Sequence, residues 1–83
     1  MKTVPIKLAE IYVPIKHSGS LDEAKAEMLA EDILENGLRE PIHVRRDEAK
    51  NRYVLVAGLH RLEAVRALGE EEIDSLVVQA RKF

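Results

Sequence analysis

"VLVAGLHRLEAV", residues 54–65, reads as a strand that stops at a glycine and turns at once into a helix. The near-continuous apolar run from Tyr53 to Ala57 suggests a strand covered on both faces. "LHRLEAVRALG" then forms a helix that Gly69 stops. Gly58 permits the sharp turn between them and a close approach to the backbone. The chain has only four glycines and three histidines, yet one of each stands at this bend with an arginine beside them. The first N–H groups of a helix have no partner within it, and the macrodipole adds about half a positive charge there. Such a bend is a ready anion site. His60 and Arg61 add side-chain donors, and arginine presents a planar fork matched to phosphate oxygens. A cation at the positive end of a helix works against the local field, which points to an anion held between the two. Local chemistry leaves two readings open: a phosphate site, or a plain turn with Arg61 paired to a carboxylate such as Glu23 or Glu63. Neither G-x-x-x-x-G-K-[ST] nor G-x-G-x-x-G occurs.

Outward from the bend, "RYVLVAG" pairs with the short strand "PIHVRR" across the polar turn "DEAKN", too long for the tight two-residue hairpins. "HSGSLDEAKAEMLAEDILENGL" is the clearest helix. Ser20 is placed to cap it with Glu23 at the capping-box spacing, and Asp22 and Glu23 suit the positive end of the dipole. Ala26, Leu29, Ala30, Ile33 and Leu34 recur at helical spacing and form the expected buried stripe. Asn36 and Gly37 end the helix, with Gly37 in a left-handed cap and Leu38 folding back on the last turn. "TVPIKLAEIYVPI" carries Pro5 and Pro14, so it is expected as an edge strand followed by irregular chain. "EEEIDSLVVQA" closes with a turn or short helical piece and a last strand. The order β-α-β-β-α-β predicts a small mixed α/β or α+β domain with a mixed sheet.

Eighty-three residues make one domain, residues 1–83. A chain this short buries only about 60% of its extended surface, so modest stability is expected. With Tyr12, Tyr53 and Phe83 as its aromatics, it offers no stacking platform for single-stranded nucleic acid. A net charge of −2 and a pI near 5.9 weigh against binding DNA mainly through phosphate contacts. The absence of cysteine excludes disulfides, thiolate metal sites and a cysteine nucleophile. No apolar run approaches about 18 residues and no signal-peptide core opens the chain, so a soluble, cytoplasmic protein away from membranes is expected.

The segment "ENGLREPIHVRRDEAKNRYVLVAGLHRLEAVRALGEEEIDSLVV" resembles the N-terminal domain of ParB-type partition proteins and, in the same superfamily, sulfiredoxin. The resemblance covers about residues 4–78. Its most specific part is Gly58-Leu59-His60-Arg61 followed by Ala64, with Gly37-Leu38 and Pro41-Ile42 upstream. ParB proteins carry G-E-R-R at this turn and sulfiredoxins G-C-H-R. The resemblance implies the ParB/sulfiredoxin fold and a turn that holds nucleotide phosphates, of CTP in the first family and ATP in the second. By position, Gly58, Leu59, His60 and Arg61 would form the phosphate-binding set. Sulfiredoxins also use a lysine in an "L-D-x-A-K" context, and here "LDEAK" places Lys25 there. The alternative for Lys25 is a solvated helix lysine whose nearest same-face acid is Asp22. Mg²⁺ would be held largely by the phosphates.

The departures are informative. Leu59 stands where sulfiredoxins have cysteine, so attack through that thiol, and with it sulfinic-acid reductase activity, is ruled out. Leu59 also replaces the ParB glutamate, which removes support for ParB-like CTP turnover. The sequence ends just after its last strand, before the second phosphate motif and the helix-turn-helix of full ParB proteins, so sequence-specific DNA recognition by these residues alone is not expected.

The first functional expectation is a nucleotide-binding module tied to plasmid or chromosome partition or to transcription, able to self-associate. The second is a small ATP-dependent kinase or phosphohydrolase on the same fold, for which Glu10 is the weak candidate base. The third is a DNA-binding or nuclease-like ParB domain. His17, His43 and His60 lack metal-ligand spacing, so no metal site is expected. His43 reads as an outward strand residue. Glu70 to Glu72 could meet Mg²⁺ but reads as a solvated turn. Arg45, Arg46 and Arg52 on the hairpin could touch DNA, or could guard a sheet edge.

Overall fold

A computed structural model describes residues 2–38 and 40–79. The proline-bearing start splits into two short strands, β1 (Val4–Lys7) and β2 (Ile11–Tyr12), joined by a 3-10 turn at Leu8–Glu10. One helical turn, α1 (Ile15–Ser18), precedes the long helix α2 (Glu23–Asn36). The hairpin is β3 (Ile42–Asp47) and β4 (Arg52–Ala57), followed by helix α3 (Leu59–Ala67) and strand β5 (Glu72–Val77). The expected order is present, with β2 and α1 as additions. No helical piece forms at the acidic run, which leads straight into β5.

The five strands form one mixed sheet in the order β1-β5-β3-β4-β2. β1 pairs antiparallel with β5 and β3 with β4, while β3–β5 and β2–β4 are parallel. Pro5 sits on the edge strand β1, where a missing N–H costs the ladder least. The sheet must also curl. Four Cα steps of about 3.8 Å link Lys7 to Ile11, whereas five flat strands at about 4.8 Å spacing would set their outer strands roughly 19 Å apart. The two edges therefore approach one another across that turn.

The hairpin is not an edge. β2 adds outside β4 and β5 outside β3, so Arg45, Arg46 and Arg52 do not guard an exposed ladder. Two of them cover rings instead: the Arg46 guanidinium lies 4.9 Å from the Tyr53 centroid and that of Arg52 lies 4.0 Å from Tyr12. Arg52 also pairs with Asp47 at 3.2 Å. His43 is half-buried on β3, beside a bulge in the ladder.

One face of the sheet forms the core. Ile6, Ile11, Ile42, Val44, Leu55 and Ile73 meet Leu59, Leu62 and Val65 of α3, and Ile33 and Leu38 pack at the margin. Register places Val44 opposite Leu55 and Ile6 opposite Ile73, so one face stays apolar along its length. Ser75, fully buried, donates to the Ile73 carbonyl at 2.9 Å. Two expectations need correction. Val54 and Leu55 are buried on opposite faces of β4, but Val56 is 41% exposed and Ala57 is open, so only the strand's middle is covered twice. Leu34 is 74% exposed, because α2 packs on α3 rather than flat on the sheet, and no residue of α2 is fully buried.

Candidate phosphate-binding site

Gly58 has φ +104° and ψ 29°, in the left-handed region. A Cβ there would lie 2.8 Å from the Ile42 Cγ2, so torsion and packing both demand glycine. The turn sends the next side chain inward: Leu59 joins the core. A position that holds cysteine in sulfiredoxins thus carries a buried alkyl group with no nucleophilic atom. His60 and Arg61 follow on the outer side of the helix start. Nothing caps α3 with a side chain, and its first helical bond runs from the Leu62 N–H to the Gly58 carbonyl at 2.9 Å. The N–H groups of Leu59, His60 and Arg61 precede that bond.

The start of α2 meets the start of α3. Asp22, not Ser20, caps α2: its Oδ1 accepts from the Ala24 N–H at 3.1 Å and the Lys25 N–H at 3.2 Å. The helix begins two residues past the position a Ser20 cap requires, and the Ser20 hydroxyl donates instead to the His17 carbonyl at 2.8 Å. The Asp22 N–H, free because it precedes the helix, donates to His60 Nε2 at 3.0 Å. An Nε2 that accepts carries no proton, so the ring proton sits on Nδ1. His60 therefore ties the two helix ends together through Nε2 and keeps only Nδ1 as a donor for a ligand.

Arg61 Nη2 donates to Glu40 Oε2 at 3.0 Å. Neither carboxylate expected from sequence is its partner; Glu63 lies 3.5 Å from Arg66. Arg61 is 34% exposed and Glu40 is 70% exposed, and solvent-screened pairs of this kind contribute about 0–1 kcal/mol. The pair does not close the site. Arg61 stands between two clefts, one of about 120 Å³ shared with Glu40, Asp32 and Leu38, the other of about 280 Å³. The larger is lined by Lys25, Leu29, Gly58, Leu59, His60 and Arg61, with no carboxylate among them. The open start of α3, Lys25 and Arg61 thus border one cleft.

All five residues expected to bind phosphate line this cleft. Glu10 does not; it lies exposed on the turn between β1 and β2. Among the described residues, no three histidine or carboxylate side chains are grouped to hold a metal, the run at Glu70 to Glu72 included. Sequence reasoning missed Glu40 and the capping role of Asp22. The second was legible, since an aspartate directly before a helical run is a preferred cap. The first was not, because Glu40 lies 21 residues from Arg61.

Residues 2–82 match the family model of the ParB N-terminal domain. Over 60 residues, 72% of this chain, the sequence is 40% identical to the probable chromosome-partitioning protein ParB of Campylobacter jejuni. The match takes in 21% of that protein, so the chain spans about a fifth of its relative's length. Sulfiredoxin from Arabidopsis thaliana superposes with a TM-score of 0.84 at 29% identity, covering 96% of this chain and 88% of that one. A C-terminally truncated chromosome-partitioning protein ParB from Caulobacter crescentus, complexed with CTP-gamma-S, superposes with a TM-score of 0.83. It is 21% identical over 99% of this chain and 47% of that one, a likeness that shows the fold alone. No helix among the described residues is long and apolar enough to cross a membrane.

Proposed function

Because this chain belongs to the ParB N-terminal domain family, we propose that it binds a nucleoside triphosphate, with the phosphates in the cleft where α2 and α3 begin. The observation that carries this reading is the lining: Lys25, Arg61 and the start of α3 converge on a cleft without a carboxylate. The N–H groups of Leu59, His60 and Arg61 take phosphate oxygens at the positive end of the helix. Arg61 exchanges its screened partner Glu40 for a phosphate, a doubly charged acceptor that fits its fork. Lys25 adds a mobile positive charge from the first turn of α2. His60 holds the two helix ends in register and offers Nδ1. Mg²⁺ is carried mainly by the phosphates themselves.

CTP and ATP are the candidate nucleotides; the Caulobacter crescentus relative, solved with CTP-gamma-S, supports the first. The process served is chromosome or plasmid partition, supported by the Campylobacter jejuni relative. A kinase or phosphohydrolase would need a base beside the γ-phosphate, and with Glu10 outside the cleft the geometry favours binding over turnover. Calorimetric titration with CTP, ATP, GTP and pyrophosphate, each with and without Mg²⁺, tests the proposal. Saturable heat with at least one, lost in Arg61→Ala, is expected. No heat with any of the four removes it.

A further inference from the structure

Among the described residues, neither long helix covers the sheet's second face, although Val54 at its middle is buried. α3 packs on the core face and α2 packs on α3, so both long helices lie on one side. Across that face runs a groove of about 560 Å³, bounded by the α1 segment on one side and residues 78 and 79 on the other. Its floor includes Val54, Val56 and Val78, and Lys16, Arg45, Arg52 and His17 stand around it. The carboxylate beside these cations, Asp47, is already held by Arg52. The groove has an apolar floor and a positive rim on a chain whose net charge is −2, while Glu72 and Asp74 of β5 stand on the same face outside its lining.

The complementary surface is on the same molecule. The outward side of α2 presents Glu27, Glu31 and Glu35 at four-residue spacing, and no lysine or arginine shares that side. Met28, 72% exposed, and Leu34 lie among them. None of the three glutamates has a partner among the described residues. These two apolar side chains give the acidic stripe groups that could meet the valines of the groove floor. The dimensions agree: the 14 residues of α2 span about 21 Å, and the six-residue strands β3 and β4 about 20 Å.

We propose that the face of the sheet away from the long helices receives the outward side of α2 from a second copy of this chain. The two copies contribute different surfaces, so the contact is heterologous and each copy retains one free face of each kind. It needs no nucleotide, since the phosphate cleft lies at the other side of α2 and α3. It therefore stands or falls apart from the nucleotide reading.

Sedimentation velocity on the 83-residue chain, at several concentrations and without nucleotide, tests it. Concentration-dependent association is expected at low ionic strength, weakening as salt screens the charges. Arg45→Glu makes the sheet face repel α2, and Glu31→Arg makes α2 repel the sheet face; each alone is expected to weaken association at least tenfold. An equal mixture of the two variants restores it, because the reversed glutamate then meets the reversed arginine. Circular dichroism checks the fold of each, and Lys16→Glu, at an exposed position, replaces Arg45→Glu if that variant unfolds. A monomer at every concentration, association indifferent to both reversals, or a mixture that fails to recover would each overturn the proposal.

Discussion

Gly58→Ala probes the bend on which the site is built. At φ +104° an alanine gives up roughly 1–2 kcal/mol to left-handed strain. Its Cβ would also sit 2.8 Å from the Ile42 Cγ2 and 3.2 Å from the Ile42 Cα. Ile42 is fully buried in a central strand, so neither atom yields easily, and overpacking of this kind costs about 1–3 kcal/mol. Lost freedom in the unfolded chain returns about 0.4–1 kcal/mol. The net destabilisation is about 1–5 kcal/mol, against the roughly 4–12 kcal/mol expected for a domain of this length. Gly69→Ala is the control: φ is +81° with nothing within 4 Å of the added Cβ, so strain acts there without packing and the cost is about 1 kcal/mol. Urea unfolding followed by circular dichroism reads both. At about 4–8 °C per kcal/mol, the melting temperatures of the two variants should differ by roughly 10 °C. Truncating Ile42 to alanine should cost less in the Gly58→Ala background than in the native chain, a coupling that a double-mutant cycle measures. If Gly58→Ala and Gly69→Ala destabilise equally, packing against Ile42 is not what selects glycine here.

Glu40→Gln should tighten pyrophosphate or nucleotide binding about two- to fivefold, the worth of a screened pair released from Arg61; calorimetry would show weaker binding if Glu40 helps rather than competes. Asp22→Ala should cost about 0.5–2 kcal/mol through the lost cap, read by urea unfolding, with faster amide exchange in the first turn of α2. Leu62→Ala, at a fully buried position of α3, should destabilise by about 2–5 kcal/mol, and a smaller loss would mean that the sheet collapses into the space. Burial pushes the Asp47 carboxyl up, but the Lys50 N–H, the bonded Arg52 and nearby Arg45 outweigh it and hold the group below its ordinary value. A depressed folded-state value means stabilisation that is present above the unfolded-state value and lost as pH falls through the folded one. Acid unfolding of Asp47→Asn should therefore be less steep below about pH 4, the ordinary aspartate range, than that of the native chain.

The candidate site was legible in sequence where local chemistry sufficed. A strand, a glycine and a helix start compel open N–H groups at the bend, whatever surrounds it, and His60 and Arg61 necessarily stand beside them. Lys25 came only through resemblance, because 33 residues separate it from Gly58 and only the packing of α2 on α3 brings them to one cleft. The partners were hidden for the same reason. Asp22 and Glu40 reach His60 and Arg61 across 38 and 21 residues, distances over which side-chain spacing carries no information. The sheet shows the same division. Apolar periodicity named its strands, yet the two residues Ile11–Tyr12 that form β2 are too few to show any period, and they turn the hairpin from an edge into the centre. Leu34 has the spacing of a core residue and lies in solvent because helix-on-helix packing leaves that side of α2 uncovered. Sequence alone determined the longer elements and the cationic bend, since backbone torsion and dipole are properties of neighbours along the chain. Tertiary structure decided which carboxylates engage the cations, which face of the sheet the long helices leave uncovered and where the cleft opens, since these depend on groups that only folding brings within reach.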